Sequence, residues 1–223
     1  MKRILAGAML ALLAVTGVAA EGDAESREIT PEEARAVVAR FIQSVESYQA
    51  KFQQQLQSAS GEVLEAESGD FWLQRPGRFR WHYIDPWERE IIADQGTIWL
   101  YDAELDQVTV RPVGEALLNT PAALLAGDLA ALDAYAISGL EQSSGGFDIH
   151  LVPLGSRGDF KSIGLGFSAA GGLIQLVLQD RFEQRTVITF SEGELNPELP
   201  ASVFEFMMPA GADVIDQRVT PQS

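Results

Sequence analysis

One strongly curved antiparallel sheet, or partial barrel, with helices across its open side is the fold class predicted here, a mainly β (α+β) chain. Three features of the sequence predict it. Apolar residues alternate with period two over about ten or eleven short segments at hairpin spacing, beginning near Tyr48. Turn residues punctuate those segments, at Ser60-Gly61, Arg75-Pro76-Gly77, Asp94-Gln95-Gly96 and in glycine-rich stretches at 145–146, 155–158 and 171–172. Helical signals are confined to one stretch near the start and an Ala/Leu-rich stretch in the middle, which leaves helices available only as covers for a sheet.

The chain of 223 residues has the apolar share (46%) and charged share (22%) of a globular protein, not a disordered one. With 16 basic and 32 acidic residues its net charge is −16, which excludes a nucleic-acid binder built on phosphate neutralisation and electrostatic docking on anionic lipid. Lys2 and Arg3, the apolar run Ile4 to Val18 and the small residues Val18-Ala19-Ala20 read as a secretory signal cleaved after Ala20. The run is about 15 residues, short for a membrane span, which disfavours an uncleaved anchor. Loss of Lys2 and Arg3 would move the net charge from −16 to about −18. The organisation expected is therefore a signal over 1–20 and a single domain over 21–223. The absence of cysteine removes disulfides and the acceptor for lipid modification, so the exported chain is expected to be free of an acyl anchor.

In chain order, Thr30, Pro31 and Glu33 form an N-cap, a first-turn proline and a capping box. Ala34, Val37, Val38, Phe41, Ile42 and Val45 follow at helical spacing on one face. Strand periodicity begins at Tyr48, with Ala50, Phe52, Gln54 and Leu56, then Val63 to Leu73. Phe79, Trp81 and Tyr83 point one way while Arg78, Arg80 and His82 point the other. Ile91-Ile92, Ile98 to Tyr101 and Val108 to Val110 continue the meander. Residues 115–141 interrupt it, with Thr120-Pro121 and Ala122 to Leu132 predicting one or two short helices. Strands resume at Phe147-Ile149-Leu151, Ile163-Leu165-Phe167, Ile174-Leu176-Leu178 and Thr186-Ile188-Phe190, and Phe204 to Met208 and Val214-Ile215 close the pattern.

Enzymatic chemistry finds little to stand on. There is no cysteine nucleophile, G-x-S-x-G elbow, P-loop or H-E-x-x-H motif. His82 and His150 lie in strands without catalytic neighbours. Gly164-Leu165-Gly166-Phe167-Ser168-Ala169 fits a dinucleotide fingerprint only on paper, because it lies inside a strand. Asp102, Glu104 and Asp106 have calcium-loop spacing, but Gln107 stands where that loop needs glycine, so a solvated turn is expected. No metal and no cofactor is predicted, and the chain is not read as an enzyme. What stands out is aromatic density: all four tryptophans, Trp72, Trp81, Trp87 and Trp99, fall within residues 69–101. Such surface requires either a packed core or a cavity for an apolar ligand, and composition by itself favours the core.

The motifs Gly69-Asp70-Phe71-Trp72, Arg75-Pro76, Phe79-Arg80-Trp81, Asp94-Gln95-Gly96, Ile98-Trp99-Leu100-Tyr101-Asp102, Asp106-Gln107-Val108 and Asn119-Thr120-Pro121 carry a resemblance. With Phe204 to Met208, Pro209 and Asp213-Val214-Ile215 downstream, the chain resembles the periplasmic outer-membrane lipoprotein carrier proteins (LolA) over nearly its whole length past the signal. Gln95 departs from the acidic-Gly or Asp-Gly pair common in that turn. The resemblance implies an unclosed antiparallel β-barrel with a helical lid over a hydrophobic cavity. It implies a chaperone that takes acylated lipoproteins from an inner-membrane lipoprotein-releasing ABC transporter to an outer-membrane lipoprotein receptor, acting in the periplasm and as a monomer. The missing cysteine and the segment past Pro209 place the chain with the carrier. A lipid- or lipoprotein-sensing regulatory domain of the same fold is the alternative.

The resemblance also implies that Arg75, in the Arg-Pro step, latches the empty cavity by bonding to the lid around residues 118–126. Alternation nominates Trp72, Phe79, Trp81, Trp99, Ile149, Leu165 and Leu176 as cavity residues. Phe41 and Val45 join them from the first helix, and Leu124 and Leu125 from the lid.

Overall fold

The computed structural model describes residues 30–113, 129–143, 146–155 and 160–218. The signal segment and residues 118–126, with Leu124 and Leu125, lie outside the described residues. One helix, α1 (Pro31–Ser44), precedes twelve strands: β1 (Ser47–Gln57), β2 (Val63–Gln74), β3 (Arg78–Asp85), β4 (Arg89–Asp94), β5 (Thr97–Asp102), β6 (Gln107–Pro112), β7 (Tyr135–Ser143), β8 (Gly146–Pro153), β9 (Phe160–Ser168), β10 (Leu173–Asp180), β11 (Arg185–Leu195) and β12 (Asp213–Asp216). All twelve form one sheet in the order β12-β6-β5-β4-β3-β2-β1-β11-β10-β9-β8-β7, whose edges β12 and β7 do not pair with each other. The barrel is unclosed, as expected.

α1 starts where its caps demand. Glu33 N donates to Thr30 Oγ1 at 3.3 Å, and Thr30 N donates to Glu33 Oε2 at 2.9 Å. Two of the first-turn amides that a helix leaves unpaired are satisfied in this way. Ala34, Val38, Phe41 and Val45 are buried against the sheet, and the Phe41 ring lies 5.1 Å from that of Phe167 on β9. Thr30→Ala is expected to lower the unfolding free energy by about 1 kcal/mol, read from the midpoint of urea unfolding.

Register fixes which side chains look inward. Across the first half of the sheet Phe71 pairs with Trp81, Trp81 with Ile91 and Ile91 with Leu100. The parallel row runs Leu73, Phe79, Ala93, Ile98. Both rows belong to the concave core, which continues across Tyr48 and Phe52 to Phe190, Leu176, Leu165 and Ile149. Phe79, Trp81 and Tyr83 face inward as predicted.

Within the stretch 115–141, residues 115–128, which hold most of the predicted short helices, lie outside the described residues, and the departure is at Tyr135 onward, which forms a strand. The described part of the stretch holds a 3-10 turn, Leu129–Ala134, and then β7, which pairs with β8 along its length. The Ala/Leu-rich run before it masked the strand alternation of Tyr135, Ala136 and Ile137. Ile174 also departs: a register irregularity between Leu173 and Gln175 turns Leu173 inward and leaves Ile174 exposed. Gln95 (φ 47°) and Gly96 (φ 82°) occupy both left-handed positions of the two-residue hairpin joining β4 to β5. Glutamine there is unusual and the backbone accommodates it. Asp102 Oδ1 accepts from Glu104 N (3.0 Å) and Leu105 N (3.2 Å), the solvated turn expected in place of a calcium loop.

The C-terminal segment forms a strap over the convex face. Phe204 is buried apart from the concave core, on a 3-10 turn (Ala201–Phe204) resting on β3 and β4. Arg80 Nη1 donates to the Val203 carbonyl at 3.1 Å, and Phe206 stacks on Trp99 with centroids 6.1 Å apart. β12 then adds in parallel to β6. Phe206→Ala is expected to weaken the strap by about 1 kcal/mol. Limited proteolysis should then cut near residues 207–212 faster than in the wild type, while thermal unfolding of the rest is unchanged.

Candidate functional site

The concave interior is the site the fold builds. Its first half is an aromatic cage: Phe71 and Trp81 have ring centroids 4.5 Å apart, Phe52 lies 5.4 Å from Trp81 and 5.0 Å from Tyr83, and Phe190 lies 5.6 Å from Phe71. Its second half is aliphatic, from Ile149, Leu151, Ile163, Leu165 and Leu176. The tyrosines at its margins keep partners. Tyr48 OH donates to the Leu173 carbonyl at 2.7 Å and Tyr83 OH to Gln54 Oε1 at 3.3 Å. Burial pushes each phenol up to about 12, so both stay neutral donors.

Of the residues nominated by alternation, Phe41, Val45, Phe79, Trp81, Ile149, Leu165 and Leu176 all lie in this interior. Trp72 and Trp99 do not. Register places Trp72 opposite Arg80, Arg80 opposite Ile92, Ile92 opposite Trp99 and Trp99 opposite Val110, a row on the convex face. Trp72 lies under the Arg80 guanidinium, 5.9 Å from its ring centroid, and Trp99 lies under the strap. A strand inverts its face with each residue, so Phe71 and Leu73 line the interior instead. Counting back across the turn from Phe79 and Trp81 would have identified both.

Arg75 joins the interior to its helix. It follows β2 in a turn with a cis Arg75-Pro76 bond, and its amide donates to the Glu46 carbonyl at 2.8 Å. Its Nη1 donates to the Val45 carbonyl and, at 3.4 Å, to that of Phe41, and the guanidinium lies 5.1 Å above the Phe41 ring. A cation at a helix C-terminus adds donors to the last carbonyls and meets the negative end of the helix dipole. Burial pulls Arg75 down to about 10, still cationic at neutral pH. The expected partners at 118–126 lie outside the described residues. The partners described are the last carbonyls of α1, which sequence periodicity did not indicate.

Among the described residues, recesses open at two places beside this interior. A slot of about 270 Å³ lies between α1 and the β9–β10 turn, lined by Val37, Phe41, Val45, Phe147, Phe167 and Leu195 among others. A polar recess of about 480 Å³ opens at the hairpin end of β1 to β6. There Gln54 Nε2 donates to Glu67 Oε2 at 2.7 Å, Arg89 pairs with Glu67, and the Arg89 guanidinium lies 4.6 Å over the Tyr83 ring.

The comparisons with known proteins agree with this architecture. The family model described as outer membrane lipoprotein carrier protein LolA matches residues 43–207. An outer-membrane lipoprotein carrier protein of Alkalilimnicola ehrlichii is 39% identical over 183 residues, 82% of this chain and 83% of that one. Another, from Albidiferax ferrireducens, is 36% identical over 220 residues, 94% of this chain and 98% of that one. An uncharacterized conserved protein from Thermus thermophilus shares the fold, with a TM-score of 0.53, 14% identity and coverage of 84% of this chain and 100% of that one. By the extent and identity of the sequence matches, the chain belongs to the outer-membrane lipoprotein carrier (LolA) family.

Proposed function

We propose that this chain is a periplasmic chaperone for acylated lipoproteins. It accepts them from an inner-membrane lipoprotein-releasing ABC transporter and passes them to an outer-membrane lipoprotein receptor. The observation that carries this reading is an apolar, aromatic interior covered by a helix whose last turn is held by a half-buried arginine. Burying one acyl chain of about 15 methylenes is worth on the order of 12 kcal/mol, more than a carrier can return without help. Closure of the empty state must offset part of it. Charged hydrogen bonds from Arg75 to the Phe41 and Val45 carbonyls contribute roughly 1.5–3 kcal/mol each to that closed state. Affinity is then enough to shield the cargo and small enough to release it. Incubation of the purified chain with ATP and membranes carrying transporter and acylated cargo tests this. A water-soluble one-to-one complex of carrier and cargo is expected. Cargo that stays in the membrane with and without the chain would overturn the reading in favour of a sensing role.

A further inference from the structure

Trp81 is buried to 7% of its surface in the centre of the interior, yet its indole Nε1 has no hydrogen-bond partner among the described residues. Its neighbours are rings: Phe71 at 4.5 Å, Phe52 at 5.4 Å and Phe190 at 6.1 Å between centroids. An indole N–H can only donate, and buried donors are nearly always paired. The other polar groups of the cage obey that rule, since Tyr48 and Tyr83 both find acceptors. Phenylalanine would fill the cage without an orphaned donor.

The missing acceptor can arrive with the guest. An acyl chain differs from any other hydrocarbon chain in beginning at a carbonyl. We propose that Trp81 Nε1–H donates to an acyl carbonyl oxygen of the cargo when the chain enters the cage. Trp81 then makes the interior selective for acyl over alkyl chains. This rests on the lipoprotein-carrier reading above and deepens it: the rings supply the non-specific affinity, and one donor in the cage recognises the linkage. The donor is also too weak to trap the cargo, since a neutral hydrogen bond exchanged against water adds little net affinity.

The test uses the full mature chain and three synthetic lipopeptides of equal chain length: a diester, its diether analogue, and the diether carrying one amide-linked acyl chain. Affinities are measured by displacement of a fluorescent fatty probe. The wild type is expected to bind the diester about five- to ten-fold more tightly than the diether. In Trp81→Phe the ratio of diester to diether affinity is expected to fall to about one, whatever the change in overall affinity. If the amide-bearing diether matches the diester, an amide carbonyl also serves as acceptor; if it matches the diether, the acceptor is the ester. A second readout needs no variant at this position. The indole ¹⁵N–¹H resonance that remains once Trp72, Trp87 and Trp99 are assigned should move downfield with the diester and not with the diether. Equal affinity of the wild type for diester and diether, or an ester preference surviving in Trp81→Phe, would overturn the proposal while leaving the carrier reading intact. Failure of the wild type to bind any of the three would overturn both.

Discussion

Arg75→Leu is expected to accept acylated cargo as the wild type does and to pass it to the receptor about ten-fold more slowly or worse. The direction follows from which state the arginine stabilises. Its bonds to the Phe41 and Val45 carbonyls are made with α1 on the interior, and on the proposed latch reading the empty, closed carrier keeps them while the loaded, opened one loses them. Leucine retains apolar contact with Phe41 and removes the donors, which lowers the cost of opening. Loading is then no slower, and the driving force for closing after release falls. Each 1.4 kcal/mol lost is a factor of about ten in that equilibrium, and the loss of one charged hydrogen bond is enough to reach it. The assay is transfer of preloaded cargo to immobilised receptor. Transfer at the wild-type rate would remove Arg75 from the mechanism. The latch should also be insensitive to mild acid. A base lowered to about 10 in the folded state adds stability only as pH rises through and beyond that value, so it contributes no slope between about pH 5 and 8.

Gly69→Ala is expected to be among the most damaging single substitutions in the sheet, costing about 3 kcal/mol or more of stability. A Cβ on Gly69 would stand 1.9 Å from the His82 carbonyl oxygen and 3.0 Å from the Tyr83 Cα. Both are backbone atoms of the next strand, so no side-chain rotation relieves the contact. β2 and β3 would have to separate at the register shift between Ser68 and Gly69. The glycine has a packing role as well. In the row Phe52, Gly69, Tyr83 it leaves room for the flanking rings to meet at 5.0 Å over it. Chemical denaturation and soluble yield measure the effect. A midpoint within error of the wild type would show that the two strands are freer than their register implies.

The hairpins, the capped helix and the open barrel were legible because each rests on local chemistry: period-two alternation, turn residues and a capping box. β7 was not, since helix-favouring composition upstream of Tyr135 outweighed a short alternation. Facing was legible within a strand and lost between strands. Phe79 and Trp81 were placed correctly and Trp72 was not, because its apolar character was read without its register to Arg80. Trp99 and Trp72 are apolar for a different reason, as cover for the strap and for Arg80 on the convex face, a second small core that alternation cannot distinguish from the first. The partners of Arg75 required the third dimension, because backbone carbonyls carry no sequence signal.

Acyl chains are expected to enter the concave interior and not a surface patch. The direct measurement is photo-crosslinking from paired positions on one strand. A photoreactive residue is placed at Leu176, which faces in, or at Ile174, which faces out. Each variant is loaded with radiolabelled acyl cargo from transporter-bearing membranes. Crosslinks to the acyl moiety are expected from position 176 and none from position 174. Crosslinks from 174 alone, or equally from both, would contradict an interior site.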